Sequence, residues 1–182
     1  MNHHPTPHIP GHEPPGDWLR RAVARYERPL LLYAARVLGD GDTARDAVQE
    51  TFLRLCRQDR AAVEPRLAEW LFAVCRNLAI DARRKENRMT ALDQAIADAT
   101  PSQSPAPPSV VEAADASVLA LHLLDQLPEQ QREVIRLKFQ QGLSYKQISA
   151  VTGHSVSNVG FLIHTGLKTL RHRMTVNAAA RA

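Results

Sequence analysis

The residues best suited to chemistry on a charged polymer lie between Arg76 and Arg88. Arg76, Arg83, Arg84, Lys85 and Arg88 supply cations, and Asn77 supplies a carboxamide. Guanidinium and ammonium groups hold phosphate oxygens, and a carboxamide can pair with the edge of a base. A second set comes later in the chain: Ser157, Asn158, Phe161, His164, Thr165, Lys168 and Arg171. There Asn158 suits an adenine edge and Phe161 a thymine methyl, while Lys168, Arg171 and Arg173 suit phosphates. Catalysis is not indicated. The chain has no acid pair, no nucleophile with a base, no glycine-rich phosphate loop and no metal-ligand spacing, so we expect no catalytic residues, no cofactor and no metal. His3, His4, His8 and His12 have a spacing that would suit one helix face, but the prolines among them forbid the helix. Cys56 and Cys75 lie far from any C-x-x-C spacing and read as two small buried apolar residues in a reducing cytosol.

These sets need helices to position them. From Pro65 to Arg88, Leu67, Trp70, Leu71, Val74, Leu78 and Ala82 recur at steps of three and four, which predicts a buried stripe. Pro65 suits the first helical position. Glu69, Ala73, Arg76, Asn77, Ile80 and Arg84 fall on the other side. Two readings of the basic end are open on periodicity alone. The cations can simply oppose the helix dipole, or the helix can lie along a phosphate backbone.

Upstream, Met1–Gly16 is rich in proline, glycine and histidine and reads as a disordered tail. Asp17 is expected to cap a helix through Leu38, with Gly39 as its stop. Its stripe is Leu19, Val23, Tyr26, Leu30, Tyr33 (or Ala34) and Val37, and Pro29 should kink or divide it. Asp42 is the expected cap of a helix from Thr43 to about Arg57, burying Ala44, Ala47, Val48, Thr51 (or Phe52) and Leu55. Its other face carries Asp46, Gln49, Glu50, Leu53 and Arg57. A leucine ringed by acid and amide groups fits either an ordinary solvated face or a protein partner. A short polar loop, Gln58 to Glu64, follows.

Periodicity lapses from Thr90 to Ser109, where TPSQSPAPPS reads as an extended, partly flexible linker. Helix is expected again from near Val111 to Gln126. A further helix opens at Pro128, with Val134, Ile135, Leu137 and Phe139 as its apolar surface and Gly142 at its end. Ser144 caps the next, with Ile148 and Val151 inward and Gly153 as its stop. Ser155 caps the last, in which Val156, Val159, Ile163, Leu167, Leu170 and Met174 repeat at three and four. A helix of about eight residues, a glycine-containing turn and a longer helix make the helix-turn-helix arrangement, whose second helix inserts its N-terminal residues into the major groove. A plain helical hairpin packing on a partner is the competing reading. The fold class is therefore all-α, with two small helical domains joined by a flexible linker.

The 182 residues allow one medium domain or two small ones, and 44% apolar content can fill a core. Aromatic residues are only 5%, which argues against a stacking sheet for nucleic acid. The net charge of +4 is modest, but its distribution is uneven: Met89 to Gln131 contains no lysine or arginine. Basic blocks on either side of an acidic connector suggest two units that face nucleic acid. No run is long or apolar enough to span a membrane and no hydrophobic signal core opens the chain, so a cytoplasmic protein is expected.

The order of parts resembles the bacterial RNA polymerase sigma factors of the extracytoplasmic-function (ECF) group, in the sigma-70 family. DTARDAVQETFLRL resembles the segment that binds the polymerase clamp, and WLFAVCRNLAIDARRK the −10 melting and recognition segment. LDQLPEQQREVIRLKFQQGLSYKQISAVTG resembles the start of the C-terminal domain, and HSVSNVGFLIHTGLKTLR its −35 recognition helix. The likeness covers most of Asp17 to Arg173.

The resemblance implies a domain plan: a tail at 1–16, sigma region 2 at 17–89, an acidic linker at 90–112, sigma region 4 at 113–174, and a tail at 175–182. It implies that Asp46, Gln49, Glu50 and Leu53 meet the β′ clamp of core RNA polymerase. It places Asn77 in a pocket for a flipped −10 base, completed by the loop Gln58 to Glu64, with Arg76, Arg83, Arg84, Lys85 and Arg88 on the strand's phosphates. Ser157, Asn158, Phe161, His164, Thr165, Lys168 and Arg171 would face the −35 element. Promoter DNA and core polymerase are thus the expected partners, with an anti-sigma factor as a further one. Two departures stand out. Gly160, Leu162 and Thr165 occupy positions where the family tends to carry basic residues, which implies weaker phosphate attraction, and the His-rich start is not explained. The alternative function is a stand-alone helix-turn-helix regulator, although no apolar face suited to a dimer interface is evident.

Overall fold

A computed structural model describes residues 15–96 and 116–179, and every element among the described residues is helical. The His-rich tail, most of the proline-rich linker and the last residues lie outside them. Helix α1 is Pro15–Leu38, α2 is Gly41–Cys56, α3 is Arg60–Val63, and a 3-10 turn at Glu64–Arg66 leads into α4, Leu67–Ile96. The second half contains α5 (Ala116–Asp125), α6 (Glu129–Phe139), α7 (Tyr145–Thr152) and α8 (Val156–Ala179).

In the first unit α1, α2 and α4 pack on one another. Pro29 does not divide α1, which runs as one helix. A proline inside a helix costs ~3 kcal/mol. Fully buried Leu30 and Ala34 beyond it, and buried Trp18 and Ala22 before it, hold both halves against the core. The cap of α2 is Asp40 rather than Asp42: its carboxylate accepts from the Thr43 backbone N–H at 2.7 Å and the Thr43 hydroxyl at 2.6 Å. The expected inner face of α2 is the observed one, and buried Thr51 satisfies its hydroxyl on the Ala47 carbonyl at 2.7 Å.

The segment from Gln58 to Glu64 is not an irregular polar loop. Asp59 accepts from the Ala61 N–H and starts α3, Val63 is buried, and the Arg60 guanidinium lies 5.8 Å from the centroid of the Trp18 ring. The stripe of α4 is shifted from expectation. Leu71, Phe72, Cys75 and Ala79 are its buried residues, while Trp70, Val74, Leu78 and Ala82 are half-buried. The physical reason is that α4 is covered from two directions: α1 and α2 pack on it, and so does α7. The Phe72 ring meets the Tyr33 ring edge-on at 5.5 Å. The helix also continues past Met89 to Ile96, beyond the point where apolar periodicity lapses.

In the second unit α8 packs on α5, α6 and α7. Val134, Ile135 and Leu137 of α6 are buried, but Phe139 is 61% exposed and is not part of the apolar surface expected of it. Phe139 is the last residue of α6. In α8 the buried apolar side chains are Val159, Leu162 and Ile163, whereas Val156 and Met174, at the two ends of the expected stripe, are exposed. Ser144 and Gln147 form a reciprocal capping box that fixes the start of α7. The buried residues of both units form one cluster, in which Tyr33 and Phe72 of the first are joined with Leu137, Leu143 and Ile148 of the second.

Candidate nucleic-acid interface

Helix α4 presents its cations on two faces. Asn77, Arg84, Lys85 and Arg88 are exposed, and Asp81, Arg84, Asn87 and Arg88 line a shallow groove along the helix. The steps from 77 to 81, 84 and 88 keep these residues on one side. The Arg88 Nε donates to the Arg84 carbonyl at 3.3 Å, which holds that side chain along the helix. Asp81 and Asn87 belong to this surface and were missed. Their spacing from Asn77 and Arg84 was the available signal, obscured because neither carries the positive charge that marks the rest of this surface.

Arg76 and Arg83 turn the other way, toward α6. Arg76 donates from Nε to Glu133 Oε1 at 2.8 Å and from Nη2 to Oε2 at 3.3 Å, and Arg83 donates to Glu129 Oε1 at 2.8 Å. The Tyr33 hydroxyl donates to the same Glu133 Oε1 at 2.6 Å. Burial, reinforced by the Glu133 charge, pushes the Tyr33 phenol well above its ordinary value. Burial alone would lower the Arg76 value, but its bonds to Glu133 outweigh that and raise it. The six residues assigned to one strand of DNA therefore do not form a single surface: four face solvent and two are held by the second unit.

The cleft around this contact is arginine-rich, with Arg36, Arg76, Arg83, Arg132 and Arg136 in its lining. Burial and the nearby charges of Arg36 and Arg132 lower the Arg136 value to about 10, against the pull of Asp125, with which it is ion-paired.

The second candidate surface is built by α7 and α8. Gly153 has φ +78, a left-handed conformation that lets the chain turn sharply between them. Ser149 donates to the His154 carbonyl at 2.6 Å, tying that turn down, and Ser155 accepts from the Asn158 N–H at 3.2 Å to start α8. Ser157, Phe161, His164, Lys168 and Arg171 are exposed, and Phe161 is 64% so; Asn158 and Thr165 are half-buried. Leu162 points into the core, so it is not one of the groove-facing positions. Tyr145, at the start of α7, was missed: it is partly exposed and Lys138 lies 5.4 Å from its ring centroid.

A third surface lies on α2. Asp46, Gln49 and Leu53 are exposed, and half-buried Glu50 is paired with Arg54 at 2.8 Å. Leu53 and Phe52 border a groove between α1 and α2 that Leu19, Val23 and Leu31 also line. Cys56 sits at its end and is exposed, contrary to expectation, because it is the last residue of α2. Cys75 is buried, and burial pushes its thiol up to about 11. Among the described residues no group of three or more His, Cys, Asp or Glu could hold a metal, and no helix is long and apolar enough to cross a membrane.

Two all-helical units, one carrying a basic and amide-bearing helix and the other a helix-turn-helix, define a DNA-binding class of protein. Comparison with known proteins narrows it. Residues 22–89 match the family described as sigma-70 region 2, and residues 117–170 match sigma-70, region 4. The chain is 34% identical over 156 residues to the ECF RNA polymerase sigma factor SigL of Mycobacterium tuberculosis, covering 84% of this chain and 86% of that one. It is 29% identical over 158 residues to the ECF RNA polymerase sigma factor SigW of Bacillus subtilis, covering 82% and 84%. The fold is that of the sigma factor RpoE crystallised with the anti-sigma factor NepR from Bartonella quintana, with a TM-score of 0.60 at 22% identity, over 88% of this chain and 98% of that one. The chain belongs to the sigma-70 family, in its ECF group.

Proposed function

We propose that this sigma factor binds core RNA polymerase and directs promoter-specific initiation through −10 melting and −35 recognition, in the cytoplasm and without catalytic residues of its own. The observation that carries the reading is the order of the two matches, region 2 then region 4, over residues 22–89 and 117–170. A stand-alone regulator needs no region 2, so that alternative is not favoured.

Asp46, Gln49, Glu50 and Leu53 meet the β′ clamp. The apolar groove beside exposed Leu53 supports this, since it offers a floor for a partner helix under a rim of acid and amide groups. Asn77 receives an extruded −10 base, and Arg84, Lys85 and Arg88 hold the strand. Melting then needs only that binding of base and strand repays unstacking, a few kcal/mol per base. Phe161, exposed near the start of α8, touches a thymine methyl in the major groove, and Lys168 and Arg171 hold phosphates. An anti-sigma factor is the expected regulator.

The test is gel filtration of the purified chain mixed with bacterial core RNA polymerase. Co-elution of the parent and its loss in Leu53→Asp and Asp46→Arg are expected. Parent-like co-elution of both variants would overturn the clamp face, and failure of the folded parent to co-elute would overturn the function.

A further inference from the structure

The cleft walled by α1, α4 and α6 carries more positive charge than its own carboxylates neutralise. Five guanidiniums line it against Glu129 and Glu133, and those two carboxylates are taken up by Arg83 and Arg76. Arg36, Arg132 and Arg136 remain. Arg132 and Arg136 stand one turn apart on α6 and share a face, and Arg36 comes from the last turn of α1. Arg36 donates to the Gln140 side chain at 3.3 Å and Arg132 to the Asp125 backbone carbonyl at 2.6 Å, and neither acceptor carries a formal charge. Arg136 has a carboxylate partner in Asp125, which is itself 59% exposed, and the Arg136 Nε is buried with no hydrogen-bond partner among the described residues. Burial, with the charges of Arg36 and Arg132 added to it, lowers the Arg136 value to about 10, so the three groups lie close enough to feel one another and are all cationic at neutral pH. Like charges one turn apart on a helix repel unless an anion offsets them.

We propose that this cleft is a binding site for a phosphate-class oxyanion, with Arg36, Arg132 and Arg136 as its ligands and inorganic diphosphate as the form that fits best. A guanidinium presents paired N–H donors that match the oxygens of a phosphate, so three of them from two helices can grip one anion from different sides. Charge selects among anions. A phosphate group carries about −1.5 to −2 near pH 7, so a diphosphate matches three guanidiniums where a single carboxylate does not. Size selects further. The cavity offers about 200 Å³, below the roughly 300–1,000 Å³ of sites that enclose drug-sized ligands, so the two phosphate groups fit inside and an attached nucleoside would lie outside. The exposed Arg84 and Arg88 of α4 line a different groove, and Asp46 and Leu53 of α2 lie outside the cleft. The anion site is therefore independent of the polymerase and promoter roles proposed above.

The test is calorimetric titration of sodium diphosphate into the full chain at fixed ionic strength, without divalent cations. The parent is compared with Arg36→Gln/Arg132→Gln, with the milder Arg36→Gln alone, and with Arg84→Ala/Arg88→Ala, each checked for helix content by circular dichroism. Saturable binding is expected in the parent, weakened about tenfold or more by the double glutamine variant and by a smaller factor in Arg36→Gln. The Arg84→Ala/Arg88→Ala chain should bind diphosphate as the parent does. A folded parent with no saturable binding would overturn the site, as would a folded double glutamine variant that binds like the parent. An equal loss in Arg84→Ala/Arg88→Ala would overturn its location by placing the anion on the outer face of α4. Sulfate and ADP are titrated in parallel, and either one binding more tightly than diphosphate would overturn the choice of ligand.

Discussion

Glu133 Oε1 accepts two hydrogen bonds at once, from the Arg76 Nε at 2.8 Å and from the Tyr33 hydroxyl at 2.6 Å. One carboxylate of the second unit thus satisfies a guanidinium and a phenol of the first. The pair is largely shielded, with side-chain exposures of 21% for Arg76 and 14% for Glu133. Removing the carboxylate leaves both donors without that partner, so Glu133→Ala should cost about 1–3 kcal/mol, whereas Tyr33→Phe deletes one donor and should cost about 1 kcal/mol. Urea unfolding of the full chain checks this. Equal stability of parent and Glu133→Ala would mean that the contact forms too rarely in solution to matter.

The split of cations on α4 predicts two kinds of arginine variant. Arg84→Ala and Arg88→Ala remove exposed charges that, among the described residues, have no carboxylate partner in the second unit. They should weaken single-stranded DNA binding and lower the salt slope by about 0.7 for each phosphate no longer neutralised. The compactness of the free chain should not change. Asn77→Ala should slow promoter opening by the holoenzyme while leaving polymerase binding intact. Salt titrations of DNA binding, with co-elution on core polymerase as the control, distinguish these effects. A loss of polymerase binding in Asn77→Ala would contradict the assignment.

The long helices, the inner faces of α2 and α7, and the helix-turn-helix were legible because each rests on a short-range signal. Ser144 with Gln147 and the glycine at 153 fix their elements within a few residues. What was not legible depends on a second layer of packing. The α4 stripe was misplaced by one position because a single amphipathic face was assumed, and α4 is covered on two sides. Arg76 and Arg83 looked like neighbours of Arg84, and only the docking of α6 separates them. Asp59 as a cap was readable, yet the polar composition of 58–64 hid that Val63 anchors a helical turn. Phe139 shows the converse error, an apolar residue left exposed at a helix end.

Two glycines of α8 should respond oppositely to alanine. A Cβ on Gly160 would meet the Tyr145 ring at 3.6 Å, an ordinary contact, so Gly160→Ala should stabilise by about 0.5–1 kcal/mol through helix propensity. A Cβ on Gly166 would lie 2.6 Å from Ile135 Cδ1, with Gln131 and Leu127 also close. Ile135 is itself buried, so it has little room to give, and Gly166→Ala should destabilise by about 1–3 kcal/mol despite the propensity gain. Thermal unfolding of the two variants reads the difference. A stabilised Gly166→Ala would show that α6 and α8 can move apart at no cost.

The packing of α6 on α4 through the Arg76–Glu133 and Arg83–Glu129 pairs, the closed arrangement, should loosen in acid. The hydrogen bond from Arg83 holds the Glu129 carboxyl below its ordinary value, against a weaker opposing effect of burial and with help from the charges of Arg83, Arg132 and Arg76. A carboxyl with a depressed value binds fewer protons in the closed state than in the open one. Its contribution to closure is therefore complete above the ordinary glutamate value of about 4.3 and is lost as pH falls through the lower, closed-state value. Between about pH 6 and 8 the size of the free chain should be constant as far as Glu129 is concerned. Below about pH 4 it should grow, before helix content is lost, because the packing of α1, α2 and α4 on one another and of α8 on α5, α6 and α7 does not run through Glu129. Scattering and circular dichroism recorded together along an acid titration separate opening from unfolding. In Glu129→Gln the acid-dependent part due to this residue is absent, so its expansion profile should be flatter than the parent's. Identical profiles would show that Glu129 does not hold the units together.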